Sequence, residues 1–204
     1  MSSFITLDGP NGVGKTTIVQ ALADHLRGEG KDVVVLKQPS DSILGEFARS
    51  SEQQLTGMAL AALVVADRYL QIETEIKPKL TAGCVVLCDR YVASTLALQR
   101  LDELPLDVLW ELNSQALVPD LSVLLTAESA VIEQRLDERG RKSRFERMEG
   151  IATRELTYFQ EAFELLCSVG YTTLEIDTTA SDPAHCAKVI ASRMSAELIN
   201  DAPK

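Results

Sequence analysis

Histidine and cysteine are scarce in this 204-residue chain: two histidines, His25 and His185, and four cysteines, Cys84, Cys88, Cys167 and Cys186. A structural zinc site needs closely spaced ligand pairs, and this spacing matches no metal motif. The cysteines therefore read as reduced, mostly packed thiols of a cytoplasmic protein. Positive charge is also short, with 20 basic residues against 30 acidic ones and a formal net charge of -10. Such a surface repels duplex nucleic acid and acidic membrane, so neither a nucleic acid polymer nor a membrane is an expected partner. Any nucleotide has to be held by a small local basic cluster. No apolar run reaches transmembrane length. Met1 to Leu7 is too short for a secretory segment and runs straight into a glycine-rich loop. No Ser-His-Asp set points to triad hydrolysis, and no guanine-reading NKxD segment points to a GTPase.

What is present fits one α/β domain over residues 1–204, with 46% hydrophobic and 25% charged residues. Short apolar runs at Phe4–Leu7, Val33–Leu36, Cys84–Cys88, Leu121–Leu125 and Tyr171–Ile176 read as strands. The run at Val33 lacks alternation, which predicts cover on both faces. Helical periodicity lies between them at Lys15–Leu26, Leu106–Leu117, Ser129–Arg139, Arg147–Val169 and Pro183–Leu198. Leu55 to Leu80 reads as one long helix ending near Pro78. It is apolar around much of its circumference, so it either packs wholly inside one subunit or also meets a twin subunit. The alternation predicts a five-stranded parallel sheet with helices on both faces. Asn200 to Lys204 is expected to fray.

Gly9-Pro-Asn-Gly-Val-Gly-Lys-Thr-Thr17 contains GxxxxGKT between a strand and a helix, the context a phosphate-binding loop requires. Inward amides of Asn11 to Thr17, including Gly12, Val13 and Gly14, would form an anion nest at a helix N-terminus. Lys15 would reach the β- and γ-phosphates of ATP, and Thr16 would offer a hydroxyl to Mg²⁺. Asp89-Arg90 closes a buried strand at its carboxyl end, where open sheets bind ligands. Asp89 suits the metal or its waters, and Arg90 suits an acceptor phosphate. Asp8 either orients the loop or the metal shell, or caps loop amides. Asp67-Arg68 by itself could equally be a solvent-facing helical pair. Arg139-Gly-Arg-Lys-Ser-Arg144 is the sharpest basic cluster in an acidic chain. It reads as a lid over about residues 139–146 that brings charge to a γ-phosphate, or as a solvated corner between helices. Arg135, one turn earlier, could cover adenine or meet the sheet carboxylates.

Together these motifs resemble the thymidylate kinase family of P-loop nucleoside monophosphate kinases, over nearly the whole chain. Lys37-Gln38-Pro39 stands where the family has Arg-Glu-Pro, Asp67-Arg68 matches a helical Asp-Arg, and Asp89-Arg90-Tyr91 with Ser94 and Gln99 follows DRYxxSxxAYQ. Pro119-Asp120-Leu121 and Arg144-Phe145-Glu146 fit as well. The resemblance implies a homodimer that uses Mg-ATP to phosphorylate a nucleoside monophosphate, dTMP first. It implies that Lys37 and Arg90 contact the acceptor phosphate, that Arg68, Ser94 and Gln99 orient the acceptor, and that Arg141 and Arg144 hold the moving phosphoryl group. Gly12 fills the position of a P-loop arginine, so the chain resembles the members that supply arginine from the lid. Four departures cluster at the acceptor: Asn11 for an acid near the sugar, Val64 for a stacking phenylalanine, Leu98 for tyrosine and Lys37 for arginine. They imply an altered acceptor pocket, and leave open a kinase for a modified nucleotide, a nucleoside or another phosphorylated metabolite. A nucleotide-binding regulatory protein with little turnover is the reading from a different class.

Overall fold

The computed structural model describes residues 2–141 and 143–200, with side chains through residue 195. The 201–204 end, expected to fray, lies outside the described residues, as does Lys142 of the basic cluster. Five strands run through the middle: β1 (Ser3–Asp8), β2 (Val33–Lys37), β3 (Val85–Asp89), β4 (Leu121–Thr126) and β5 (Thr173–Asp177). All neighbouring pairs are parallel, in the order β2-β3-β1-β4-β5. Alternate side chains of a strand enter opposite faces. Ile5, Leu7, Val85, Leu87, Val123 and Leu125 therefore build one core, while Phe4, Val86, Cys88 and Leu124 build the other.

The first core is covered by α1 (Lys15–Gly28) and α9 (Pro183–Asn200), with α7 (Ser129–Arg139) at its end. The second is covered by α3 (Gly57–Gln71), α5 (Val92–Leu98), α6 (Leu106–Asn113) and α8 (Ile151–Ser168). The central strands β1, β3 and β4 are buried almost throughout. β2 differs from the expectation of two covered faces. It is an edge strand, with Val35 37% exposed. Its β-branched run satisfies strand propensity but has no second neighbour to hide behind.

Two helices had no counterpart in the periodicity. α2 (Ile43–Ser50) starts where Ser42 Oγ accepts the Gly45 N–H at 3.2 Å. Gly45 is required there by close approach, because a Cβ would lie 2.2 Å from the Ser40 carbonyl oxygen. α5 begins two residues after Arg90, whose φ is +74°.

The long helix departs from expectation in a third way. Its end is as expected, at Thr81, but it is not one uniform α-helix. α3 passes into a π-turn over Ile72–Ile76 and continues as α4 (Lys77–Thr81), with Pro78 in its first turn. Proline lacks the N–H and crowds the preceding turn's carbonyl, and a widened turn just before it relieves both. α6 stops at Asn113 and α8 starts at Ile151, both shorter than their apolar patterns. Among the described residues, no helix is long and apolar enough to cross a membrane.

Candidate active site

Three segments meet at the carboxyl edge of the sheet: the loop after β1, the turn after β3 and the segment between α7 and α8. Register places Leu7 beside Asp89, so Asp8 and Asp89 emerge together. The helix α1 has no side-chain N-cap; Gly14 stands there with φ +99°. Its first amides are thereby left for an external anion. Gly9, at φ +145°, also lies so close to β4 that a Cβ would be 2.4 Å from the Leu125 carbonyl oxygen.

One cavity is lined by Asn11, Gly12, Gly14, Lys15, Thr16, Thr17, Asp89, Arg90, Arg135 and Arg139. Lys15 is 7% exposed, and its Nζ donates to the carbonyls of Gly9 (2.8 Å) and Pro10 (2.7 Å). Burial, aided by the Arg90 charge, pulls its pKa from 10.5 down to about 7, against the pull of Asp89, Glu155 and Asp8. Thr16 Oγ1 donates to Asp89 Oδ2 at 2.8 Å. Arg135 and Arg139 stand one turn apart on α7, so they share a face. Arg135 also donates to the Thr178 carbonyl at 2.9 Å, tying α7 to the loop after β5. Val13 faces the core and is fully buried; only its backbone belongs to the loop. A Cβ on Gly12 would come within 3.1 Å of Leu136 and 3.2 Å of the Ile132 carbonyl oxygen, at φ +82°. An arginine at that position would therefore be both strained and crowded by α7.

A second, open cleft adjoins the first. Gln38, Ala48, Leu60, Val64, Arg68, Ser94, Leu98, Gln99 and Phe145 are among its lining residues. Asn11 and Arg90 line both spaces. Arg90 donates to Asn11 Oδ1 (2.8 Å), Ser94 Oγ (3.1 Å) and the Gly9 carbonyl (3.3 Å). Its left-handed backbone is the kind of strain that persists where surrounding structure over-determines it.

Asp8 is fully buried and takes the cap role. Its Oδ1 accepts the N–H groups of Tyr91 (2.8 Å) and Ser94 (2.9 Å) and the Ser94 hydroxyl (2.6 Å), at the start of α5. Arg68 is not a solvent-facing helical pair. It is 1% exposed and donates to Gln38 Oε1, Asn113 Oδ1, the Tyr91 carbonyl and Thr95 Oγ1. Its neighbour Asp67 is turned instead to Ser40 and Ser42.

Besides Val13 and Asp8, which was expected at the acceptor, three expected site residues are not brought to these two spaces by their side chains. Lys37 pairs with Asp41 at 2.9 Å and lines a separate recess beside Thr16, Glu75 and Asp89. Arg141 is bound to Glu133, Asp137 and the Glu146 carbonyl. Arg144 is bound to Asp102 at 2.5 Å. Arg139 is the cluster's arginine that faces the phosphate loop, although it also pairs with Glu146 at 2.7 Å.

Glu155, on α8, is a site residue that sequence reasoning missed. It is 2% exposed, and its two oxygens accept the Asn11 N–H (2.6 Å) and the Asn11 Nδ2 (2.8 Å). The amide of Asn11 is thereby oriented, donating to a carboxylate and accepting from a guanidinium. No local pattern marks Glu155, because its partner lies 144 positions away.

Residues 7–181 match the thymidylate kinase family. A probable thymidylate kinase from Caldivirga maquilingensis is 38% identical over 151 residues, covering 72% of this chain and 74% of that protein. A thymidylate kinase from Clavibacter sepedonicus is 40% identical over 154 residues, covering 72% of each. A probable thymidylate kinase from Archaeoglobus fulgidus is 33% identical over 162 residues, covering 79% of this chain and 83% of that protein.

Proposed function

The chain belongs to the thymidylate kinase family, and we propose on that footing that it phosphorylates dTMP with ATP by direct transfer between its two adjoining spaces. The observation that carries this reading is the wall they share. Asn11 and Arg90 line both the phosphate-loop cavity and the open cleft. With the ATP polyphosphate in the first and dTMP in the second, the γ-phosphorus and the acceptor phosphate meet beside Arg90.

An oxygen of the acceptor phosphate attacks the γ-phosphorus, the bond to the β,γ-bridging oxygen breaks, and ADP leaves with that electron pair. The protein's work is alignment and charge neutralisation, not covalent chemistry. Amides of the loop and the ammonium of Lys15 hold the donor. Arg90 neutralises the acceptor phosphate, and Asn11 and Ser94 fix its guanidinium. Arg135 and Arg139 add charge over the donor side. Arg141 and Arg144 reach the phosphates only if their carboxylate pairs break.

Thr16 and Asp89 fit a Mg²⁺ ion, since their hard oxygens already converge at 2.8 Å. They are the two protein groups that would hold it. The described residues contain no group of three or more acidic, histidine or cysteine ligands that could hold a metal alone. Such sparse protein ligation is usual for magnesium that is shared with substrate phosphates. The ion would neutralise charge developing on the transferred group.

Val64, Leu98 and Gln99 line the open cleft, which supports their reading as the residues that would surround the base. A homodimer and a cytoplasmic location belong to the same reading. Ile43 (79%) and Phe47 (54%) are exposed one turn apart on α2, and Met58 (44%) is exposed at the start of α3. Cys84, Cys88, Cys167 and Cys186 are all free thiols, which suits a reducing compartment.

The test is ADP formation measured with dTMP, dUMP, UMP and dCMP as acceptors. We expect dTMP-dependent turnover, reduced about 10³-fold in kcat/KM by Arg90→Ala. ATP binding without any acceptor-dependent ADP release would reject the kinase reading.

A further inference from the structure

The open cleft is built from several separate pieces of chain, and three of them meet at a single carboxylate. Asp102 ends the 3₁₀ turn Gln99–Asp102, which follows α5, and its side chain is 7% exposed. Its Oδ2 accepts the Gly57 N–H at 2.9 Å and pairs with Arg144 Nη2 at 2.5 Å. Thr56, the residue before α3, makes no side-chain cap of its own. Asp102 therefore caps α3 from 45 positions away and holds Arg144 with the same oxygen.

Each partner belongs to a wall of the cleft. α3 contributes Leu60 and Val64, the 3₁₀ turn contributes Gln99, and the segment around Arg144 contributes Ser143 and Phe145. Arg144 stands over the Phe145 ring, with Cζ 4.0 Å from the centroid, so fixing the guanidinium also restrains the ring. Arg144 Nε is buried without a partner, and so is Oε1 of Glu52, another residue of the cleft. Burial raises the Glu52 pKa, opposed first by a hydrogen bond from the Arg144 backbone and then by the Arg144 charge. A buried donor and a buried acceptor of opposite charge are thus each left without a hydrogen-bond partner, a cost that pairing would relieve. The arginines lining the phosphate cavity, by contrast, are Arg90, Arg135 and Arg139 among the described residues.

We propose that Asp102 is a positioning residue which latches the Ser143–Phe145 segment across the acceptor cleft through Arg144. Arg144 then serves capture of the acceptor and not the moving phosphoryl group. The proposal rests on the assignment of the open cleft to the nucleoside monophosphate.

Initial rates with dTMP and ATP varied separately test it in the full chain. Arg144→Ala breaks the latch and leaves the α3 cap in place. Asp102→Asn keeps an acceptor for Gly57 but loses the charge. Each is expected to raise KM for dTMP about tenfold, with kcat and KM for ATP within about twofold. The double variant is expected to be no worse than either single one, because both remove one contact. Arg144→Lys should recover part of the loss. A hundredfold fall in kcat at unchanged KM in Arg144→Ala would place Arg144 on the phosphoryl group and overturn the latch. Lower thermal stability of Asp102→Asn with unchanged KM would reduce Asp102 to a helix cap and overturn it equally. Amide exchange supplies an arm that needs no substrate. Arg144→Ala should speed exchange over residues 143–147 and leave the Gly57 amide protected. Unchanged exchange in that segment rejects the latch even if dTMP proves not to be the acceptor, whereas absent wild-type turnover with normal exchange behaviour rejects the acceptor alone.

Discussion

Lys15 combines deep burial with two carbonyl partners and a neighbouring arginine, and its pKa settles at about 7. A polyphosphate arriving beside it would favour the ammonium and raise that pKa again. Above neutral pH, binding of ATP then requires uptake of a proton, so affinity falls as pH rises from about 7 toward the ordinary lysine value. The sign for folding runs the other way: the unfolded lysine keeps its proton to higher pH, so this group opposes folding less as pH rises. Calorimetric titration of ATP at about pH 8.5, in buffers of different ionisation enthalpy, should report uptake approaching one proton. Lys15→Met should abolish that uptake; buffer-independent heats in the wild type would contradict the assignment. The neighbouring Asn11 shows why a residue-by-residue comparison can mislead. Taken alone, its amide forfeits a negative charge. In the structure, a buried carboxylate stands directly behind it at Glu155. An aspartate at 11 would face that carboxylate at hydrogen-bond distance, and like charges there oppose joint ionisation.

At the scale of elements, Arg68 is the joint between α3, the turn after β2, α5 and α6. Gln38, Tyr91, Thr95 and Asn113 supply its acceptors. Burial lowers its pKa, and no carboxylate hydrogen-bonds to it among the described residues. Arg68→Met would leave four acceptors unpaired, and we expect a loss of about 3 kcal/mol or more in urea unfolding, with the m-value unchanged. A midpoint shift worth under about 1 kcal/mol would show that water replaces the guanidinium. The long helix and the two helices that periodicity missed show how far elements can be read in advance. α1 was legible because its apolar residues recur at helical spacing and no other segment is needed to start it. α5 was not, because its cap is Asp8, 86 positions earlier in the chain. The π-turn was not, because its apolar pattern continues that of the helix on either side and only the missing N–H of Pro78 distinguishes it.

Across the whole molecule, the net charge of -10 coexists with a cationic carboxyl edge of the sheet, where Lys15, Arg90, Arg135 and Arg139 converge. The rest of the surface can then repel polyanions while this edge accepts small ones. The exposed apolar pair on α2 is the other whole-molecule feature. If it meets a twin subunit, light scattering should give about twice 22.3 kDa. Ile43→Glu with Phe47→Glu should then return the mass to a single chain, since two carboxylates cannot be buried unpaired. A wild-type mass of one chain would remove the dimer. The sequence by itself determined the phosphate loop, the alternation of strands and helices, and the acid-arginine pair after β3, because each rests on contiguous residues with fixed local geometry. Tertiary structure alone decided that Asp8 caps α5, that Glu155 stands behind Asn11, that Arg139 lines the cavity of the glycine-rich loop and that Arg144 turns to Asp102. Those choices are set by which segments the parallel sheet brings to one edge, and partners separated by tens of residues leave no spacing to read.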